Sequence, residues 1–404
     1  MKKKFCNILL IIGLFSQFVS VGFASEIIKI KGKVVDKNTR EPLSYVAIGV
    51  VGTTVGTTSN LDGNFELKFE QAENIDSVMV STVGYLTIKL SIKDCKAKNE
   101  ITIEMISKDY HLEEIEVTAK SMVLENIIRQ AVANLSKNYI QKPFNYEVYY
   151  KNQERINDSV SRLREAAVKI YDSKGYSRGD LHDVFVERGY KFLQVRRSFK
   201  LNSLNDGATN LDDILEMDIV RVVGNILDAN HLSNYDLKLD KITAYENDSV
   251  WVISYDNRKP SLPSTGDNYA TKYTGKIYIN KRNYAVVKNE TQVEASNFSE
   301  QGRSFYVNEN KIEWKRISVK YEFSCYYKQL NNQYFLSYVK YNRVHQLQNK
   351  TTNATIKQEI KSEMMINKVE TQNPEAIAKR SYYENIKFDK NFWDKYNILL
   401  DEKK

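Results

Sequence analysis

The sequence predicts a mainly β protein: an N-terminal β-sandwich, then a larger antiparallel β domain (a curved meander sheet) with a few helices. Three observations carry this. Tyrosine is abundant at 27 residues against 5 prolines, a balance that suits long pleated strands. Short apolar runs bounded by Gly, Asn and Asp recur through residues 26–106, the spacing of a small sandwich. After Pro143, longer alternating runs are joined by tight polar turns, the pattern of an antiparallel meander.

The first 24 residues stand apart. MKKKFCNILLIIGLFSQFVSVGFAS has a charged start, an apolar stretch and small residues at Gly22 and Ala24. It reads as a signal peptide over 1–24, cut after Ala24. An uncleaved anchor is the alternative, but Ser16, Gln17 and Ser20 interrupt the apolar run. Cys6 precedes that run, so it is not placed to be a lipidated cysteine. Export would put the chain in an oxidising compartment with only Cys95 and Cys325, which do not make a disulfide framework. Of the formal charge of +8, three units belong to Lys2, Lys3 and Lys4, leaving +5 spread along both halves. That charge is mild and unclustered, so nucleic acid is excluded as a partner. No later run approaches the ~20 apolar residues of a membrane helix.

Within 26–106, IIKIKGKVVD reads as a strand ending at the turn DKNTREP, and YVAIGVVGT as a second. NLDGNFELKF turns at Asp62-Gly63, where glycine suits a positive φ. Phe65 and Leu67 then share one face, Asn64 and Glu66 the other. SVMVSTVGY, LTIKLSI and EITIEMI complete the set. The stretch GKVVDKNTREPLSYVAIGVVGTTVGTTSNLDGNFEL, followed by VSTVGY, resembles the carboxypeptidase-regulatory-like domain. The resemblance implies a non-catalytic, transthyretin-like sandwich, common in exported proteins of Bacteroidota and often found at the head of SusC-like receptors.

Residues 107–120 read as a linker or strand containing HLEEIEVTA. His111 and Glu114 have the H-x-x-E spacing of a zinc pair, but that pair needs a helix. The β-branched Ile115, Val117 and Thr118 favour a strand, which points positions i and i+3 to opposite faces. His182, His231 and His345 add no ligand spacing, so no metal, cofactor-binding or catalytic residue is expected. LEEIEVTA is similar to the segment that follows the sandwich in SusC-like receptors, at the TonB-box region. The likeness does not extend to the large plugged barrel of such receptors, since fewer than 300 residues follow.

The rest, 121–404, reads as one β-rich domain. Leu124, Ile127, Ile128, Ala131 and Leu135 predict a helix over 121–138, with Ser121 as its cap and Pro143 beyond its end. A second helix is expected over 211–229. Turns fall at Asn157-Asp158, Asn247-Asp248, Lys281-Arg282 and within LNNQ. The loop 256–268, with two prolines, is expected to be exposed. In strand 317–327, Val319, Tyr321, Phe323 and Cys325 share a face opposite Lys320, Glu322 and Ser324. That is a sheet with one wet and one covered face, the two helices being the cover. In the neighbouring strand, Tyr338, Lys340 and Asn342 are expected on the covered face. The stretches ENIIRQAVANLSKNYIQKPFNYEVYYKNQ, REAAVKIYDSKGY and GKIYINKRNYAVVK are similar to the β-rich region of unknown function that follows the sandwich in some Bacteroidota proteins.

Chemistry is sparse. There is no G-x-S-x-G elbow and no phosphate-binding G-x-x-x-x-G-K-[ST] loop. VVGTTVGTT lies between strands. Asp212-Asp213 and Glu113-Glu114 read as solvated charges. Val195-Arg196-Arg197-Ser198 reads as a basic surface strand edge. Tyr149, Tyr150, Tyr326 and Tyr327 read as packing residues, with a glycan or lipid groove as the alternative. The expectation is a non-enzymatic envelope protein, periplasmic or outer-membrane associated, with a binding or scaffolding role. Its partners would be envelope proteins, or cell-surface glycan or lipid ligands, with peripheral membrane contact. The alternatives are a lipid or lipoprotein carrier, or an accessory of an outer-membrane uptake system.

Overall fold

The computed structural model describes residues 26–72, 74–110, 121–179, 188–200, 210–296, 313–378 and 386–402. The leader and 111–120, with His111 and Glu114, lie outside them. The first body holds β1 (Ile27–Asp36), β2 (Ala47–Val50), β3 (Gly56–Thr58), β4 (Asn64–Glu70), β5 (Ser77–Ser81), β6 (Ile88–Ser91), the short helix α1 (Ile92–Lys96) and β7 (Ile101–Met105). They make two facing sheets, β4-β1-β7 and β3-β2-β5-β6. Alternation drives the packing: Ile28, Ile30, Phe65, Leu67 and Phe69 of one sheet meet Ile48, Val50, Val78 and Val80 of the other. Gly63 has φ +78°, as the turn demands. Gly32 allows β1 and β7 to pair in parallel, for a Cβ there would lie 2.3 Å from the Ile101 carbonyl oxygen.

The second body is one sheet of eleven strands. It comprises β8 (Asp109–Tyr110), β9 (Phe144–Ile156), β10 (Ser159–Asp172), β11 (Arg188–Lys200), β12 (Tyr235–Tyr245), β13 (Asp248–Asn257), β14 (Ala270–Asn280), β15 (Val286–Ala295), β16 (Trp314–Leu330), β17 (Gln333–Asn349) and β18 (Thr355–Glu370). Their order is β11-β10-β9-β18-β17-β16-β15-β14-β13-β12-β8. The meander from β12 to β18 is therefore continued by the earlier β9–β11 group, which joins at β18. Asn157, Asp158, Asn331 and Asn332 all have positive φ, the conformation that two-residue hairpin turns require. The β12–β13 turn falls at Glu246-Asn247, one residue earlier than Asn247-Asp248.

One face of this sheet is apolar and covered. Helices α2 (Ser121–Ala133) and α3 (Leu135–Asn138), broken at Asn134, occupy the expected 121–138 span. Leu124, Ile127, Ile128 and Ala131 pack into a core with Val319, Tyr321, Phe323 and Cys325. The 211–229 helix needs correction: only α4 (Asn210–Leu215) is α-helical there, and 216–228 is a run of turns. Gly224 takes φ +72°, and the Asn225 side chain donates to the carbonyls of Ile219 and Val222. Ile214, Met217, Ile219, Val220, Ile226 and Leu227 are all buried. A segment enclosed on all sides has no need of one amphipathic face. It nonetheless covers the sheet as expected. The Cys325 thiol donates to the Met217 carbonyl at 2.6 Å, and the Tyr327 hydroxyl to Asp218 at 2.7 Å.

Two further expectations are corrected. In 256–268, Ser264, Thr265 and Asp267 are buried. A helical turn, α5 (Leu262–Thr265), is closed by the reciprocal Ser261–Ser264 cap, and the Tyr235 hydroxyl donates to the Ser264 carbonyl. In β17, Val339, Tyr341, Arg343 and His345 lie opposite Cys325, Phe323, Tyr321 and Val319 on the covered face. Tyr338, Lys340 and Asn342 lie on the other. The cause is a bulge: Tyr326 pairs with Tyr338 but Tyr327 with Leu336, so facing reverses at Ser337.

Candidate functional site

The uncovered face of the large sheet is built from polar rows. Side chains directly opposite on neighbouring strands share a face. Lys276, Glu290, Ser324, Lys340, Glu363 and Lys151 are successive partners from β14 to β9. Beside that row runs an aromatic one, with Tyr278 opposite Lys288, Tyr326, Tyr338, Met365 and then Tyr149.

The sandwich sits on β16, β17 and β18 at one end of this face, and the C-terminal tail covers the neighbouring β9–β10–β18 part. Tyr45 of the sandwich stacks on Tyr338 at 4.8 Å, and Lys340 lies 5.4 Å from the Tyr45 ring. Thr57 meets the Met365 sulfur at 3.6 Å. The Lys328 ammonium donates to the Thr54 carbonyl at 3.3 Å; burial pushes its pKa down to about 8. The tail, with α6 (Lys390–Lys395), is wedged between the two bodies, burying Trp393 and Leu399 against Tyr149, Ala167, Tyr338 and Met365. Asn397 accepts from the Lys68 N–H at 2.7 Å and donates to the Lys68 carbonyl at 3.1 Å. Its side chain thus stands in for a neighbouring strand on the open edge of β4. Lys68 donates in turn to the carbonyls of Trp393 and Tyr396. At the sheet edge, Arg196 and Arg197 bind the buried Glu165, and Arg197 also holds Asp401. The basic strand edge read from the sequence is therefore present and is used to fix the tail.

From β12 to the sandwich's contacts on β16 and β17 the face stays open. It forms a trough of about 720 Å³, with Tyr45 at its boundary. A second depression of about 330 Å³ continues it, sharing Thr274, Gln292 and Glu322. Two of the trough's charges are held by neighbouring side chains. Lys276 meets Asp240 at 2.9 Å. Glu290 is held by Lys288 at 2.8 Å and by the Tyr278 hydroxyl at 2.7 Å. Burial pushes the Glu290 carboxyl up, but Lys288 and Tyr278 outweigh it and hold the pKa below its ordinary value. Glu363, next in the row beyond Lys340, is half-buried; desolvation raises its pKa although the Tyr338 hydroxyl donates to it at 2.5 Å.

The other singled-out residues fall elsewhere. Glu113 and Glu114 lie outside the described residues, as does His182. Asp212 is buried near the Tyr190 hydroxyl, and Asp213 lies 3.6 Å from Arg343; both belong to the core packing, not to a solvated face. His345 is buried, contacts Gln358 at 3.0 Å, and is held neutral by burial and by Arg343 and Arg316. Among the described residues no group of three or more His, Cys, Asp or Glu is placed to hold a metal. Cys95 and Cys325 are buried in separate cores and are not joined in a disulfide. Tyr150 and Tyr327 pack in the main core, and Tyr149 and Tyr326 beneath the sandwich and tail, with Tyr326 also lining the trough. Sequence reasoning reaches only part of the trough: it places Glu322 and Ser324 on the open face and offers Tyr326 as a groove residue, and all three line the trough. Its signal was the polar member of each alternating strand, which lines up only once register is known.

Residues 30–117 match the family described as CarboxypepD_reg-like domain, so the sandwich is a carboxypeptidase-regulatory-like domain at the head of a larger β structure. The chain is also 30% identical over 199 residues to the TonB-dependent receptor SusC of Bacteroides thetaiotaomicron. That alignment takes in 49% of this chain and 17% of the receptor. Among solved structures, a putative membrane-associated protein of unknown function from Bacteroides fragilis aligns over 85% of this chain and 98% of its own, at 9% identity and a TM-score of 0.15.

Proposed function

We propose that this is a non-catalytic, exported protein of the bacterial cell envelope that binds a ligand or partner in the open trough, as an accessory to an outer-membrane uptake system. The trough is the observation that carries the reading. Its polar side chains are spread over six strands, an arrangement suited to holding an extended partner rather than to focusing reactive groups on one atom. The charged and apolar start of the chain supports export. Likeness to a TonB-dependent receptor over 199 residues, more than the 30–117 match alone supplies, supports the uptake context. A lipid or lipoprotein carrier would need an uncovered apolar face. Here that face is occupied by α2, α3 and the 210–234 segment, so the carrier reading is not favoured. Fractionation of native cells tests the proposal: the protein should be recovered from the envelope with Ser25 as its first residue. A cytoplasmic pool that keeps Met1 would overturn it.

A further inference from the structure

Resting on the reading of the trough as a binding site, we propose that its ligand is a linear, uncharged, hydroxyl-rich chain, a neutral oligosaccharide. Four features of the trough lead there.

The first is length. The lining runs from β12 to β17, five inter-strand gaps of about 4.8 Å each, or roughly 24 Å. Through Thr274, Gln292 and Glu322 it also opens into the second depression. A compact small molecule would leave most of this surface wet.

The second is charge. Lys238, Lys276 and Lys340 share one cross-strand row with Glu290, and Asp236, Asp256 and Glu322 stand in the row beside it. Two adjacent rows of opposite sign largely cancel at a distance, so little net field is available to draw in a polyanion or a polycation. The third is polarity. An acyl chain laid over these ions would strip their water and return no hydrogen bonds, which is costly.

The fourth is the match of donors to acceptors. Lysines only donate and carboxylates only accept, and here they alternate with Ser324, Thr274 and Gln292, which do both. A sugar hydroxyl donates and accepts, so a chain of them can satisfy either kind of neighbour along the whole floor. An extended peptide would be bound by a sheet edge, through its backbone and through pockets for alternate side chains. The trough lies on a sheet face. Tyr45 bounds the trough and is anchored by its stack on Tyr338, so the sandwich contributes to the site and the intact two-body protein is the binding unit.

The test uses residues 25–404, purified whole. Calorimetric titrations are run with neutral oligosaccharides of graded length and differing linkage, with uronic-acid oligomers, and with an uncharged extended peptide. At least one neutral series should bind, with affinity rising over the first several units, levelling off once the chain spans the trough, and little affected by salt. Gln292→Ala combined with Glu322→Ala should weaken binding at least tenfold. Ser324→Trp should abolish it. Both variants replace half-buried or exposed residues, and an unchanged melting temperature shows that they are folded. Folded protein that binds none of the neutral oligosaccharides overturns the proposal, as does binding confined to uronic acids or to the peptide, or binding that survives Ser324→Trp. Such failures would leave the envelope location, tested by fractionation, standing or falling on its own result.

Discussion

Replacing Asn397 with alanine probes the join between the two bodies. The side chain makes two hydrogen bonds to the backbone of Lys68, at 2.7 and 3.1 Å, on the open edge of β4. Both partners are buried. Alanine leaves one N–H and one C=O without those bonds, and each such group costs about 1–3 kcal/mol. Allowing for relaxation and entering water, the loss is roughly 2–4 kcal/mol. It falls on docking rather than on either core, because Ile28, Leu67 and Phe69 are untouched in the sandwich and Val319 and Phe323 in the sheet. The expected outcome in scanning calorimetry is a transition that broadens or splits, with its lower part moved down by roughly 8–30 °C. Amide exchange in β4 should rise while exchange in β16 and β17 stays unchanged. A single transition within about 1 °C of the parent, with unaltered β4 exchange, would refute the claim that Asn397 ties the tail to the sandwich.

Lys328→Met should stabilise the protein at pH 7. Burial lowers the lysine's pKa to about 8, so the unfolded chain binds more protons between pH 8 and 10.5 and the parent gains stability as pH rises through that window. Urea midpoints across the window should show this rise in the parent and not in the variant. Glu246→Gln acts at lower pH. Burial, with Asp248 nearby, raises that carboxyl to about 7, so its folded-state contribution is present below about pH 4.5 and lost as pH climbs through 7. The variant should therefore be more stable than the parent at pH 8 and equal to it at pH 4, by the same assay. Gly275→Ala should cost about 1–3 kcal/mol, because its Cβ would lie 2.1 Å from the Glu290 carbonyl oxygen and 2.4 Å from the Tyr255 hydroxyl. A parent-like urea midpoint would refute the clash, since moving Tyr255 aside leaves the backbone contact with Glu290 in place.

Local rules made the elements readable. LDGNF set its turn through a glycine that must take positive φ, and paired asparagines and Asn-Asp marked the hairpins. The alternation of 317–327 divided that strand correctly into a covered and an open face. Where reading failed, distant contacts had overruled local pattern. The 211–229 stretch has apolar spacing compatible with a helix, yet burial on every side lets it be a chain of turns held by Asn225 and Gly224. Extrapolating facing along β17 failed because one extra residue, Ser337, reverses it. Ser264 and Thr265 look like loop residues until Tyr235 and the Ser261 cap are placed over them. The trough is a property of register, since Lys276, Glu290 and Lys340 become neighbours only when three hairpins are aligned.

The strand order carries a consequence for how the chain comes together. β9 pairs with β18, and the Asn152–Ser362 hydrogen bond between them spans 210 residues of sequence. Loop closure over such a distance is paid before the contact returns anything, and topologies dominated by distant pairings form slowly. The sandwich and the meander from β12 to β18 rest on nearer pairings and can form early. The β9–β11 group then waits with one long edge unpaired until β18 exists, which makes that edge the most aggregation-exposed surface of the nascent protein. The tail, synthesised after β18, can lock the sandwich down only once this seam has closed. Assembly thus ends where the two bodies meet, and the trough beside Tyr45 is completed in the last step.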